Sequence, residues 1–108
     1  MLTVVFALST VHVPAQTRSK KMQSVRIVLD RRGYEPSEFR LRKGIPARVT
    51  FLRKTNDECG EVVVIPAYGI RRNLPLNQPV TVQFTPTRTG TFDFACGMDM
   101  LHGQIIVN

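Results

Sequence analysis

Five side chains in the second half of this sequence of 108 residues carry atoms that bind soft metal ions. Cys96, Met98 and Met100 are spaced two residues apart, His102 follows at the same interval, and Cys59 lies 37 residues before Cys96. Thiolate and thioether sulfurs are soft ligands that select Cu(I) over hard cations and over divalent ions that prefer oxygen. The predicted ligands of such a Cu(I) site are Cys59, Cys96, Met98 and Met100, with His102 as a further candidate.

Other chemistry fits these residues less well. A zinc site needs four Cys or His ligands, and the two cysteines with His102 are one short. Calcium and magnesium need clustered carboxylates, which are scattered here. The sequence also shows no nucleophile paired with a base, no paired carboxylates and no glycine-rich phosphate loop, so we do not expect an enzyme.

Each candidate ligand also has a structural interpretation that its spacing leaves open. In an exported protein, a lone pair of cysteines commonly forms a structural disulfide. Methionines more often fill cores than bind metals. The charged residue Asp99 between Met98 and Met100 argues against a core-filling loop here. Taken alone, His102 is typical of an exposed residue at the edge of a loop.

The chain divides into three parts by composition. Residues 1–15 are apolar and uncharged, and they resemble a secretory signal peptide that is cut after Ala15; the alternative is a first strand over residues 2–8. Residues 16–22 are polar and basic and are predicted to form a flexible tether. Residues 23–108 form the predicted domain, and the absence of an internal repeat or linker within them indicates a single unit.

The net charge of +7 does not indicate a nucleic-acid-binding protein. Nearly half of the positive excess belongs to the tether, Trp is absent, and the Phe residues alternate with polar ones as in strands rather than as a stacking surface. The tether could instead attract anionic lipid headgroups, which gives peripheral membrane association as an expectation. The basic pairs Arg53-Lys54 and Arg71-Arg72 are expected to lie on solvated faces.

Alternation with a period of two recurs through the predicted domain, and this pattern is typical of strands with one buried face. Seven short strands separated by Gly and Pro turns predict an all-β, antiparallel Greek-key β-sandwich. In the strand after Gly90, Phe92, Phe94 and Cys96 share one face, so Cys96 is expected at the end of a core strand and pointing inward. A roughly extended loop after Gly97 would then present the sulfurs of Cys96, Met98 and Met100 to one side.

These motifs resemble the cupredoxin family. The strand-ending FACGM before the last strand, with a further ligand about 37 residues upstream, is similar to the copper-binding loop of that fold. Blue copper proteins have two histidines in their ligand set, but Asp99 and Cys59 occupy those positions here, so a redox-cycling type 1 centre is not expected. The pattern ECG-E-VV-x-x-P-x-x-G-I, LP and F-x-CGM-x-M-x-x-G instead resembles cupredoxin-like Cu(I) chaperones of copper resistance and the cupredoxin-like N-terminal domain of copper-exporting P-type ATPases.

The resemblance implies that Cys59 and Cys96 hold Cu(I) tightly, while Met98 and Met100 form a more labile outer site for one or two ions in all. It therefore predicts a monomeric Cu(I) chaperone or buffer that is exported to the periplasm or another extracytoplasmic space. The expected partner is a copper-transporting ATPase or another copper carrier. Two alternatives stay open: an electron-transfer cupredoxin with an unusual ligand set, and a β-sandwich interaction module whose cysteines only crosslink it.

Overall fold

The computed structural model describes Thr3 and residues 22–108. The predicted signal peptide (residues 1–15), the alternative strand over residues 2–8 and the predicted tether (residues 16–22) therefore lie outside the described residues, except for Thr3 and Met22. Within the described part of the chain, no helix is long and apolar enough to cross a membrane.

The described residues contain nine strands and two single-turn 3₁₀ helices. The strands are β1 (Gln23–Asp30), β2 (Gly33–Glu35), β3 (Glu38–Leu41), β4 (Ala47–Arg53), β5 (Val62–Ile65), β6 (Ile70–Asn73), β7 (Pro79–Phe84), β8 (Gly90–Cys96) and β9 (His102–Val107). The 3₁₀ helices are Glu58–Glu61, before β5, and Pro66–Tyr68, between β5 and β6. The prediction of an all-β domain is confirmed.

The strands form two sheets that pack around one core. One sheet has the order β2-β1-β4-β7, and the other has the order β3-β9-β8-β5-β6. The expectation of purely antiparallel sheets is wrong for two neighbours, because β1 pairs with β4 and β3 pairs with β9 in parallel. Hydrophobic alternation identifies the buried face of a strand but not the direction of its partner, so the sequence could not have shown this.

Two of the nine strands were not among the seven predicted. β2 has three residues, and it forms a tight hairpin with β1 after Arg31 and Arg32. β6 reads IRRN, lies at the edge of its sheet and is mostly exposed. Neither segment has the alternation that marks a half-buried strand, so their pairing is imposed by the neighbouring strands.

The core is built on inward-facing side chains from both sheets, and its centre is the ring of Phe94. That ring lies 4.9 Å from Tyr34, 5.8 Å from Phe39 and 6.0 Å from Phe51, measured between ring centroids. Across the sheet, Phe94 pairs with Gly103 of β9. The Phe94 ring lies over Gly103, where any side chain would overlap it. Because Phe94 anchors β8 in this way, the end of β8 at Cys96 has a fixed position.

Candidate metal centre

Cys96 ends β8 and points into the sandwich, as the alternation predicted. Phe94 and Cys96 are buried on one face, whereas Asp93 on the other face is exposed. The backbone N–H groups of Met100 and Leu101 both donate to Cys96 Sγ at 3.3 Å. Donors of this kind stabilise negative charge on sulfur, so the turn is suited to hold a thiolate.

The segment after Cys96 is a compact turn and not the extended loop that was expected. The N–H of Asp99 donates to the carbonyl of Cys96 at 2.9 Å, and the N–H of Cys96 donates to the carbonyl of Leu101 at 3.0 Å. Asp99 takes the left-handed conformation with φ of 60°, which Asp tolerates better than most residues. The chain therefore folds around the sulfur of Cys96, which is why two N–H groups reach it.

Cys59 lies in the 3₁₀ helix Glu58–Glu61. The N–H of Gly60 donates to the carbonyl of Asp57 at 3.0 Å, and the N–H of Leu74 donates to the carbonyl of Glu61 at 2.7 Å, so both ends of this helix are fixed. The helix lies close on β1, because a Cβ added at Gly60 would come within 2.8 Å of Leu29 Cδ2. Glycine at position 60 permits that close approach.

The structure brings the two cysteines together. Their Cα atoms are 5.5 Å apart although 37 residues separate them in the chain, and their sulfurs are joined as a disulfide. The sequence left open whether the pair is a structural disulfide or a metal-binding dithiol. The observed positions of the two cysteines are compatible with both. Once reduced, Cys59 and Cys96 offer two sulfurs within reach of a single ion.

Both methionines of the turn are exposed, with 57% of Met98 and 71% of Met100 accessible to solvent. The interpretation of these residues as core fillers is therefore wrong. Met98, Met100 and Cys59 line one surface cavity of about 370 Å³. Met98 and Cys59 also line a second cavity of about 300 Å³. Two exposed methionine side chains thus share a surface cavity with Cys59.

His102 is not brought to the sulfurs. It opens β9 opposite Ala95, which lies on the face of β8 away from Cys96. Its Nε2 is 2.8 Å from the carbonyl oxygen of Asp99 and 3.4 Å from the Asp99 carboxylate. Among the residues that the structure describes, no group of three or more His, Cys, Asp or Glu side chains is placed to hold a metal ion. The candidate soft ligands at this end of the domain are therefore the cysteine pair and the sulfurs of Met98 and Met100.

Charged side chains border both cavities. Arg31 and Asp57 line the first, and Arg71 and Glu61 line the second. Each cavity thus has one cation and one carboxylate at its edge. Arg71 is exposed, as expected for a solvated face, but no feature of the sequence indicates that it lines the same cavity as Cys59.

Arg53 is buried, so the prediction of a solvated face is wrong for this residue. It was expected on a solvated face with Lys54, but it is only 9% exposed. Its Nε donates to the carbonyl of Leu74 at 2.6 Å and its Nη1 donates to the carbonyl of Thr55 at 2.8 Å. The alternation in β4 indicates this burial, because Arg53 follows Val49 and Phe51 on the inward face of the strand. The Arg53 guanidinium therefore connects two segments of the chain: the one before Cys59, through Thr55, and the one after β6, through Leu74.

The fold and these residues define a class of protein: a small all-β domain that places a cysteine pair and two exposed methionines at one end. The chain belongs to the cupredoxin-like family, since the family model described as "Cupredoxin-like domain" matches residues 1–107. This confirms the resemblance inferred from the sequence. The comparison with curated proteins gives no match.

Two solved structures share substantial sequence with the chain. One is the metal binding domain of the Cu(I) exporting P-type ATPase CopA of Streptococcus pneumoniae D39, with Cu(I): identity is 34%, the TM-score is 0.78, and the match covers 81% of this chain and 86% of that one. The other is a copper binding protein in the apo form, with 40% identity, a TM-score of 0.76 and coverage of 81% and 88%. The copper nitrite reductase of Nitrosomonas europaea, at 16% identity, a TM-score of 0.66 and coverage of 82% and 42%, shares the fold alone.

Proposed function

We propose that this protein binds Cu(I) through the reduced thiols of Cys59 and Cys96 and passes it on by ligand exchange. The observation that carries the proposal is the convergence of these two cysteines, with Cα atoms 5.5 Å apart, where two exposed methionines share a surface cavity with Cys59. Soft sulfur ligands without a cluster of hard ligands select Cu(I). One similar structure is a metal binding domain with Cu(I), and another is described as a copper binding protein; both support copper as the ion.

Ligand exchange follows from the coordination chemistry of the ion and from the exposure of the methionines. Cu(I) tolerates two, three or four ligands, so an entering sulfur can bind before another leaves. The thioethers of Met98 and Met100 need no deprotonation and stand at the surface, where a partner can reach them. The turn that carries them also holds Cys96, so the entry ligands and one of the two retaining cysteines lie on the same segment of the chain.

The cellular role is part of the same proposal. The apolar residues 1–15 support an extracytoplasmic location, such as the periplasm, and the proposed activity there is that of a copper chaperone or buffer. The similarity to the metal binding domain of a Cu(I) exporting ATPase supports a copper-transporting ATPase or another copper carrier as the partner. The domain is proposed to act as a monomer and without catalysis.

The decisive experiment is a Cu(I) titration of the reduced protein in competition with a Cu(I) chelator. We expect the wild type to retain one ion against the chelator, and we expect Cys59→Ser and Cys96→Ser to release it. Met22→Leu is the matched control, because Met22 is an exposed methionine outside the site. Retention of the ion by both serine variants would overturn the assignment of the cysteines, and an intense blue Cu(II) form would indicate an electron-transfer centre instead.

The disulfide itself favours a second candidate function, an interaction module that the Cys59–Cys96 bond stabilises. Thiol titration of freshly reduced protein separates the two functions. A copper-binding pair is protected from thiol reagents when Cu(I) is added, whereas the thiols of a crosslinked module react equally with and without the ion.

A further inference from the structure

The two sulfurs of the Cys59–Cys96 disulfide differ in access. Cys59 is 8% exposed and lines both surface cavities, whereas Cys96 is 2% exposed and lines neither of those two. A small molecule or a partner side chain in either cavity therefore meets Cys59 first.

The surroundings of Cys96 add a second difference. The N–H groups of Met100 and Leu101 lie 3.3 Å from Cys96 Sγ, so the backbone of the turn covers that sulfur. A thiolate attacks a disulfide in line with the S–S bond, and the sulfur that is not attacked leaves with the bonding electrons. At Cys96 the turn obstructs an attacker, and the same N–H groups stabilise Cys96 as the leaving thiolate.

The charged residues near the disulfide do not determine which of the two sulfurs a thiolate attacks. The first cavity carries Arg31 and Asp57, and the second carries Arg71 and Glu61, so each has a cation opposed by a carboxylate. Access and stabilisation of the leaving group therefore decide the site of attack, and both point to the same sulfur.

We propose that Cys59 is a thiol–disulfide exchange site, at which an external thiol reductant opens the Cys59–Cys96 bond. In the first step, the thiolate of the reductant forms a bond to Cys59 Sγ, and Cys96 Sγ leaves as a thiolate that the two N–H groups receive. In the second step, a second thiolate attacks the reductant sulfur of this mixed disulfide and releases Cys59. Two thiols are oxidised to one disulfide, and two electrons and two protons pass to the protein.

The consequence for copper rests on the proposed function, because only the reduced pair can bind Cu(I). The site of attack is independent of copper, so we test it on the oxidised protein without any metal. The probe is reduced glutathione, a monothiol whose mixed disulfide can be trapped by acid and then by N-ethylmaleimide.

Peptide mapping distinguishes the two sulfurs directly. Trypsin cuts after Lys54, Arg71 and Arg88, so Cys59 is released in residues 55–71 and Cys96 in residues 89–108. We expect mass spectrometry to find glutathione on the first peptide and maleimide on the second. Glutathione on the peptide with Cys96, or divided equally between the two peptides, would overturn the proposal.

A second measurement decides the case in which the mixed disulfide is too short-lived to trap. Cys96→Ser leaves Cys59 as the free thiol, and Cys59→Ser leaves Cys96. We expect the folded Cys96→Ser variant to react with an aromatic disulfide reagent at least about tenfold faster than the folded Cys59→Ser variant, since access governs this rate. Equal rates contradict the proposal. Because no copper is present in either measurement, a negative result here is separate from a failure to bind Cu(I).

Discussion

The guanidinium of Arg53 donates a hydrogen bond of 2.6 Å to the carbonyl oxygen of Leu74, inside the domain and away from solvent. Leu74 is itself tied to the cysteine-bearing helix, because its N–H donates to the carbonyl of Glu61. A second bond from Arg53 reaches the carbonyl of Thr55, four residues before Cys59. The position of Cys59 thus depends on a buried cation that binds backbone on both sides of it.

Replacing this cation is expected to destabilise the domain. Arg53→Met keeps much of the aliphatic volume but leaves two buried carbonyls without their donors, at an expected cost of about 3 kcal/mol in the free energy of unfolding. Urea denaturation of the oxidised protein measures this loss. Arg32→Met is the control, because the Arg32 side chain is exposed and its ion pair with Asp30 is expected to contribute at most about 1 kcal/mol. Equal stability of the two variants would mean that the Arg53 bonds do not support the fold.

A second prediction concerns the glycine beneath the Phe94 ring. An added methyl group in Gly103→Ala would overlap that ring, lying 2.6 Å from Cε2 with two further ring carbons at least as close. Because Phe94 is fully buried and cannot move freely, we expect a loss of about 1–3 kcal/mol in unfolding free energy. Thermal or urea denaturation measures it. Gln104→Ala, on the exposed face of the same strand, is the control and should change stability by no more than about 0.5 kcal/mol.

The sequence predicted seven of the nine strands because most of those segments alternate between apolar and polar residues, while residues 62–65 form a short apolar run that ends at a proline. It could not predict the two parallel pairings, since alternation contains no information on strand direction. The spacing of Cys96, Met98 and Met100 indicated a shared location, but the turn around Cys96 depends on the left-handed conformation of Asp99. The contact of Cys59 with Cys96 is set by the packing of β5 on β8, which pairs Val63 with Cys96, and no local signal reports that.

The buried phenol of Tyr34 gives a prediction about pH. Within the described residues its hydroxyl has no hydrogen-bond partner, and burial raises its pKa from 10.0 to about 12. Between these values the unfolded chain releases the phenol proton while the folded chain keeps it, so stability falls as the pH rises through this window. Below this pH window, Tyr34 is protonated in both the folded and the unfolded state, so it makes no pH-dependent contribution to stability.

Tyr34→Phe removes both the unpartnered hydroxyl and the pH dependence that its raised pKa causes. We expect the variant to match or exceed the wild type in stability at neutral pH, because it removes an unpaired buried hydroxyl, and to lose less stability at alkaline pH. Denaturation at a series of pH values compares the two. Tyr68→Phe is the comparison: its hydroxyl also lacks a partner among the described residues and burial also raises its pKa, but Arg88 opposes this shift, so we expect a smaller change at alkaline pH. Parallel pH profiles for the wild type and Tyr34→Phe would contradict the assignment.

His102→Ala tests whether the imidazole takes part in the copper site. Because His102 bonds Asp99 on the face of the sheet away from Cys96, we expect its removal to change Cu(I) affinity by less than about threefold, or about 0.7 kcal/mol. The competition titration with a Cu(I) chelator measures it, with Cys96→Ser as the comparison that loses the ion. A loss in His102→Ala close to that of the serine variant would place the imidazole among the ligands.

The last prediction separates holding the ion from transferring it. Met98→Leu/Met100→Leu keeps the volume of two exposed side chains and removes their sulfurs. Because the cysteine pair is unchanged, we expect the reduced double variant to keep its Cu(I) affinity. Its transfer of Cu(I) to a chromogenic chelator in a stopped-flow experiment is expected to slow roughly tenfold, which corresponds to about 1.4 kcal/mol in the barrier. Met22→Leu is the matched control and should transfer at the wild-type rate. An unchanged rate in the double variant would show that exchange occurs directly at the cysteines, and a lost affinity would show that the thioethers hold the ion at rest.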